Sequence, residues 1–194
     1  MALERVRIKE VKTLSDDWAV LKRTTFDFLR SDGNWQEHRR ETYDRGNGAT
    51  VLLYNREKKT VVLIRQFRFP AYVNGVEDGQ LIEACAGRLD ESEPEACMKK
   101  EAEEEAGFVV HNPRKIFACY MSPGSVTEKV HFFVAEYEPK HRVSAGGGDV
   151  TEGEDIEVLE IPLDQAMKMI ESGEIQDGKT VMLLQYAKLA GLVD

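Results

Sequence analysis

Apolar and polar residues alternate in the first 45 residues, within the segments 6–11 and 18–28, which polar turn residues separate. Strict alternation is typical of a strand with one buried face, so these segments predict an antiparallel hairpin. Further along, two apolar and β-branched runs, 49–54 and 60–67, are joined by the polar turn 55–59. Such runs favour buried strands, and they therefore predict the centre of a sheet.

The remainder of the chain mixes strand-like and helix-like periods. The pattern predicts a short strand at 81–86, a helix from Pro94 to the residue before Gly107, strands at 115–121, 130–136 and 156–161, and amphipathic helices at 163–172 and 179–190. Strands and helices alternate irregularly. This favours an α/β fold, a sandwich with a mixed sheet, over a doubly wound parallel sheet.

The helix that follows Pro94 ends in a cluster of glutamates, of which Glu101, Glu104 and Glu105 fall on one face at about 100° per residue. Like charges four residues apart cost a few tenths of a kcal/mol, and a carboxylate near a helix C-terminus costs roughly 0.3–1 kcal/mol more. A solvated acidic face is the simplest interpretation. A bound divalent cation would instead reverse the sign of the penalty, since Mg²⁺ takes carboxylates, phosphate oxygens and water.

Charge and composition restrict the partners. A net charge of -9 and a pI near 5.1 argue against general binding to nucleic acid or to an anionic membrane surface. A polyanionic substrate would therefore need a local basic cluster. Three cysteines suit a reducing compartment, and no apolar run is long enough to span a membrane, so we expect a cytoplasmic protein.

Residues 86–108 resemble the Nudix box, a loop-helix-loop motif of the form G-x5-E-x7-R-E-U-x-E-E-x-G-U in which U is aliphatic or bulky. The matching positions are Gly87, Glu93, Lys100, Glu101, Ala102, Glu104, Glu105, Gly107 and Phe108. The interval between Glu93 and Lys100 is one residue shorter than in the general pattern, and lysine replaces arginine. With the helix aligned, the first glycine of the motif falls on Ala86.

The resemblance continues along most of the chain, at 43–49, 64–68, 121–124, 145–148 and 154–157. These segments are similar to the GDP-mannose pyrophosphatase branch of the Nudix hydrolases, which is close to the ADP-ribose pyrophosphatases. The resemblance implies an αβα sandwich at 46–194 and an N-terminal β arm at 1–45 that is exchanged within a homodimer. It also implies hydrolysis of a nucleotide sugar, GDP-mannose, to GMP and mannose 1-phosphate.

The same resemblance implies a metal site for Mg²⁺, or alternatively Mn²⁺. Its ligands would be the backbone carbonyl of Ala86 and the carboxylates of Glu101, Glu105 and Glu154. Glu154 and Glu104 are the candidate catalytic residues. For the general base, the neighbours Glu152, Asp155 and Glu157 stay open, and the acidic segment around them has a simpler interpretation as a solvated loop.

The resemblance further implies a set of residues that contact the substrate: Trp18, Arg39, Arg40, Glu41, Arg68, Glu105, Glu128, Gly153, Glu154 and Lys179. Arginine suits phosphate oxygens because its planar guanidinium donates in pairs. Trp18 stands where the family has an aromatic ring that stacks on the base. Without the resemblance, Trp18 would be interpreted as a core or dimer residue and Glu128 as an isolated loop glutamate.

Two alternatives remain at the level of the sequence. The substrate is ADP-ribose in the sister branch, which would give AMP and ribose 5-phosphate. A catalytically inactive ligand-binding module is disfavoured, because such a module has no reason to keep the self-repelling glutamates of the helix. The hypothesis of a nucleic-acid-binding protein is less favoured still, because the net charge is acidic and the sequence lacks a basic stripe.

Overall fold

In the computed structural model, which describes residues 4–89 and 93–193, the N-terminal segments form three strands. These are β1 (Val6–Asp16), β2 (Val20–Leu29) and β3 (Trp35–Asp44), which pair antiparallel in the order β1-β2-β3. The sequence predicted only a hairpin. It missed β3 because that strand, with the sequence WQEHRRETYD, has few apolar residues to mark an alternation.

This sheet buries little of its surface. Every residue of β1 is exposed, including Val6, Ile8 and Val11, and β2 is only half-buried. The segment Tyr120–Lys129 joins the sheet in one structural unit, since Ser125 accepts from the Tyr43 amide at 2.8 Å. The residues Met1–Asn47 and this segment therefore form one unit, and Gly48–Cys119 with Val130–Asp194 forms another.

The second unit is built on a seven-stranded sheet. Its strands are β4 (Gly48–Asn55), β5 (Thr60–Phe67), β6 (Gln80–Glu83), β7 (Cys85–Arg88), β8 (Arg114–Tyr120), β9 (Lys129–Glu136) and β10 (Glu157–Pro162). The main order is β10-β5-β4-β9-β8, with β6 paired to β5 and β7 paired to β4. Strands β4 and β9 are parallel, whereas β4, β5, β6, β7 and β10 pair antiparallel. The prediction of a mixed sheet is confirmed. The prediction of a single strand at 81–86 is wrong, because the Ala84 amide donates to Thr180 Oγ1 and the chain divides there into β6 and β7, which pair with different strands.

In the described part of the chain, four α-helices accompany the sheet: α1 (Phe69–Val73), α2 (Pro94–Ala106), α3 (Leu163–Ser172) and α4 (Gly178–Leu189). Alternate residues of β4, such as Val51 and Leu53, share a buried cluster with Met98 and Ala102 of α2. The intervening residue Leu52 is equally buried, and β4 also contacts α4. Helices thus cover both faces of the sheet, which confirms the αβα sandwich.

The C-terminus of α2 is enclosed by other backbone. Gly107 ends the helix in the left-handed region, at φ +78°, as the sequence predicted from its position. The amides of Gly147 and Gly148 then donate to the carbonyls of Glu105 and Glu104, at 3.0 and 3.1 Å. The glycine segment is therefore bound to the helix end, where it satisfies carbonyls that the helix itself cannot. No helix in the described part of the chain is long and apolar enough to cross a membrane.

Candidate active site

Glu105 lies at the centre of the acidic residues that the sequence predicted as metal ligands. It projects from the last turn of α2 and is 1% exposed. Its carboxylate accepts a hydrogen bond from the Ala86 amide of β7 at 3.0 Å. Because α2 packs against β7, the fold brings Glu105 to the strand whose Ala86 carbonyl is the predicted fourth ligand.

Glu101 precedes Glu105 by one helical turn and faces the same strand. A Cβ atom placed on Gly87 would overlap the Glu101 carboxylate. The missing side chain at Gly87 therefore lets Glu101 lie directly against β7. This is the physical reason for a glycine at this point of the motif, since its backbone does not need a left-handed conformation.

Glu154 reaches the same region through the glycine segment. Ile156 donates to the carbonyl of Gly147 at 3.2 Å, and Glu154 accepts from the Asp149 amide at 2.9 Å. Gly148 lies so close to Glu154 that a Cβ there would overlap its carboxylate. Because Gly147 is itself bound to α2, these contacts carry the half-buried Glu154 toward the glutamates of the helix.

The electrostatics of this acidic group favour a bound cation. Burial raises the pKa of Glu105 to about 8; the Ala86 amide and Arg68 oppose that rise, whereas the charges of Glu101 and Glu154 add to it. Like charges have thus been gathered where they repel one another. Oxygen ligands of this kind suit Mg²⁺. Among the described residues, however, no three His, Cys, Asp or Glu side chains form a preassembled metal cage. The predicted metal ligands stay a prediction.

Glu104 diverges from the other two glutamates. It is exposed, and its carboxylate pairs with Lys100 at 3.1 Å, four residues earlier on the same helix. A separation of about 100° from Glu105 is enough to direct it away from β7. The predicted catalytic function of Glu104 is not tested by this arrangement. Gly153, another predicted contact, is exposed and lies at φ +80° just before Glu154.

A cluster of cations lies in the same unit as the acidic group. Arg68 follows β5 and Lys179 lies in the first turn of α4, and both contact Glu83 at the end of β6. The sequence predicted the two cations as substrate contacts but missed Glu83. Its signal was a lone glutamate inside the otherwise apolar run 81–86, where an unpaired carboxylate would be costly.

The cations hold Glu83 in its charged form. Burial alone would raise the pKa of Glu83, but Lys179 and Arg68 outweigh burial and lower it to about 2. Arg68 also acts on Glu105, since each residue shifts the pKa of the other. The cation cluster and the acidic group are therefore neighbours within one unit.

Two predicted substrate contacts of the other unit, Trp18 and Glu128, are linked by a residue that the sequence did not single out. The guanidinium of Arg45 lies 5.9 Å from the centroid of the Trp18 ring and pairs with Glu128 at 2.9 Å. Trp18 is 64% exposed, so its ring is available for stacking in this chain.

Strand β3 carries the remaining predicted contacts, Arg39, Arg40 and Glu41, and all three are exposed. Successive residues of a strand point to opposite faces. Arg39 and Glu41 therefore share one face, and Arg40 lies on the other, where it contacts the ring of His38 at 3.2 Å. Their function in substrate binding stays a prediction.

Comparison with known proteins gives matches over nearly the whole chain. The model of the NUDIX domain matches residues 44–184, and that of the GDP-mannose pyrophosphatase NudK N-terminal domain matches residues 5–43. A Citrobacter koseri protein named GDP-mannose pyrophosphatase is 58% identical over 190 residues, which cover 98% of each chain. Proteins of the same name from Shigella dysenteriae serotype 1 and Escherichia coli O157:H7 are 57% identical over 191 residues, 98% of this chain and 99% of theirs.

Gly87→Ala tests the packing of Glu101 against β7. The new methyl group would displace the flexible end of Glu101 rather than backbone, so we expect a change in the melting temperature of only a few degrees. Any catalytic activity that needs the Glu101 carboxylate should fall about 100-fold. Thermal unfolding and turnover are measured together. Gly124→Ala is the control, since a Cβ there meets no atom within 4 Å. Normal turnover in Gly87→Ala would contradict the packing argument.

The lowered pKa of Glu83 predicts a pH dependence of stability. Because the folded-state pKa lies below the ordinary value of 4.5, ionised Glu83 stabilises the fold above pH 4.5, and this contribution is lost as the pH falls toward about 2. The shift corresponds to a contribution on the order of 3 kcal/mol at neutral pH. Urea unfolding should show a stability gap between wild type and Glu83→Gln that narrows from pH 7 to pH 3. The exposed Glu95→Gln should match wild type, and a constant gap for Glu83→Gln would refute the assignment.

Proposed function

The chain belongs to the Nudix hydrolase family, and we propose that it hydrolyses GDP-mannose to GMP and mannose 1-phosphate. The names of the relatives support this substrate, because the similarity to them extends over nearly the full length of both chains. The match of residues 5–43 to an N-terminal domain named for the same activity adds to that support. The single observation that carries the proposed chemistry is that Glu101 and Glu154 both lie near enough to Glu105, which contacts β7, to raise its pKa.

The proposed ion is Mg²⁺, with Mn²⁺ as the alternative. The carboxylates of Glu101, Glu105 and Glu154 and the carbonyl of Ala86 would hold it, and their hard oxygens and mutual repulsion fit a divalent cation. Bound there, such an ion neutralises diphosphate charge and lowers the pKa of a bound water. The positive charge would also keep Glu105 ionised, because it compensates the burial of that carboxylate.

The chain supplies three further functions. Arg68 and Lys179 would bind phosphate oxygens, for which a guanidinium and a buried ammonium are suited. Glu154 is the proposed general base, because it is half-buried and close to Glu105, whereas Glu104 is exposed and paired with Lys100. Trp18 would stack on the base.

Arg39, Arg40, Glu41 and Glu128 would complete the substrate contacts, together with Gly153 beside the proposed base. These residues come mainly from the proposed β arm at 1–45, and Glu128 from the segment that packs with it. The arm would act across the two subunits of a homodimer. The exposed apolar residues Val6, Ile8 and Val11 of β1 support such an assembly, because a surface of this kind is unusual on a monomer.

A cytoplasmic location completes the proposal. It is supported by the odd number of cysteines, three, and by the burial of Cys85 and Cys97, since buried thiols suit a reducing compartment.

The substrate is tested by incubating the protein with Mg²⁺ and either GDP-mannose or ADP-ribose, and by following the nucleoside monophosphate that is released. We expect faster release of GMP, and loss of both activities in EDTA. Faster release of AMP would assign the enzyme to ADP-ribose. Release from neither substrate would support a ligand-binding module.

Glu101→Gln and Glu105→Gln test the metal ligands in the same assay. Each change removes one negative charge and keeps the size of the side chain, and in Glu105→Gln the new side-chain carbonyl could still accept from the Ala86 amide. Turnover should fall by about two orders of magnitude or more, while thermal stability stays at least equal to that of wild type. Glu103→Gln on the exposed face of α2 is the matched control. Unchanged turnover in both site variants would reject the metal assignment.

The dimer is tested by light scattering coupled to size exclusion. Wild type should have the mass of two chains, and Ile8→Lys with Val11→Lys should shift the mass toward one chain, because charge on the apolar surface of β1 opposes its burial. Lys12→Glu, on the same exposed strand, should leave the mass unchanged. A wild-type mass of one chain at all concentrations would refute the homodimer.

A further inference from the structure

We infer that Glu83 is a positioning residue, which holds Arg68 and Lys179 in one arrangement so that both bind the diphosphate of the substrate. The inference rests on the proposed function for the identity of the substrate. Glu83 itself would not touch the reacting atoms. Its contribution is to join two cations that come from distant parts of the chain.

The geometry of the three side chains is that of a clamp. The Nε and Nη2 atoms of Arg68 donate to the two carboxylate oxygens of Glu83, at 2.9 and 3.1 Å. Lys179 Nζ donates to the Oε2 atom of Glu83 at 2.5 Å. Arg68 follows β5, Glu83 ends β6 and Lys179 lies in the first turn of α4, so one buried carboxylate sets the separation of the two cations.

The backbone around Glu83 is held at the same three elements. The Arg68 amide donates to the carbonyl of Gly79 at 2.8 Å, which ties the end of β5 to the start of β6. The Ala84 amide donates to Thr180 Oγ1 at 2.7 Å, which ties the end of β6 to α4. Asp177 caps α4 through the Thr180 amide and also accepts from Lys179 at 2.9 Å. The clamp therefore has little freedom to relax.

Both cations keep donors for an anion. The contacts of Arg68 with described residues use its Nε and Nη2 atoms and leave its Nη1 hydrogens available. Those of Lys179 use two of its three ammonium hydrogens. Arg68 is 41% exposed. A diphosphate offers several acceptor oxygens, and an arginine and a lysine held side by side can each take one or more of them.

A contribution to the stability of the fold does not by itself explain this arrangement. Glu83 is 2% exposed and lies opposite Ile64 in an otherwise apolar part of the sheet. Desolvating a carboxylate and two cations costs several kcal/mol per ion, and apolar side chains of similar size often stabilise a fold at least as well. The arrangement is explained if its function is to hold the two cations in a fixed geometry.

The location of Glu83 agrees with this purpose. It lies three residues before Ala86, so a single short segment, 83–86, holds the cations at one end and contacts Glu105 at the other. Arg68 lies near enough to Glu105 to oppose the rise in its pKa. Any shift of Glu83 would therefore alter the separation between the cations and the acidic group.

The experiment compares four proteins: wild type, Glu83→Gln, Lys179→Ala and the double variant. The affinity for inorganic pyrophosphate with Mg²⁺ is measured by calorimetry, and kcat/KM is measured with GDP-mannose. Glu83→Gln should lower both by about 10- to 100-fold. The double variant should bind much more tightly than the product of the two single effects predicts, because Glu83 acts through the cation that the second change removes.

Glu83→Asp separates positioning from charge. It keeps the negative charge but is one methylene shorter, so it cannot reach both cations at once. The melting temperature should therefore recover only in part relative to Glu83→Gln, while pyrophosphate affinity stays low. Glu160→Gln, which removes the strand carboxylate that pairs with Lys58 at 2.9 Å, should leave affinity unchanged. All melting temperatures are measured, so that affinity refers to folded protein.

Two outcomes would overturn the inference: wild-type affinity in Glu83→Asp, or single effects that multiply fully in the double variant. The pyrophosphate measurement does not depend on turnover. Absence of GDP-mannose hydrolysis by wild type, together with the expected changes in pyrophosphate affinity, would reject the proposed substrate and support the positioning function of Glu83.

Discussion

The hydrogen bond from the Ala86 amide to Glu105 is the contact on which the rest of the site depends. It joins the last turn of α2 to β7 and places a carboxylate where almost no water reaches it. One amide compensates only part of the cost of burying that charge, which is why the pKa of Glu105 rises to about 8. The fold thus keeps a buried carboxylate at one point of the sheet, where a positive charge would stabilise its ionised form.

Several features of the backbone place other charged groups near this carboxylate. Gly87 leaves space for Glu101, and the glycine segment binds the C-terminus of α2 and carries Glu154 to it. Two cations, Arg68 and Lys179, lie in the same unit, where Glu83 pairs with both. A metal ion and a diphosphate could then bind between partners already in place.

The N-terminal sheet differs from the sheet of the second unit because it leaves apolar side chains exposed. Its strands are long, yet β1 is an edge strand and is exposed along its whole length. The central strand β2 pairs on both sides, whereas the outer edge of β1 and its apolar side chains stay exposed. The proposed homodimer would supply that cover, and it would make the substrate contacts of the arm depend on assembly.

The sequence by itself determined strands β4, β5, β8, β9 and β10, the ends of α2 at Pro94 and Gly107, and the acidic positions Glu101 and Glu105, because periodicity, capping and motif spacing are local properties. It missed α1 and the division of 81–86 into β6 and β7. The third strand of the arm escaped it, since β3 has no clear alternation. Only the tertiary structure decided that Glu83 joins Arg68 to Lys179. Those contacts depend on which side chains meet across β5, β6 and α4, and residues 15 and 96 positions apart leave no local signal of their pairing.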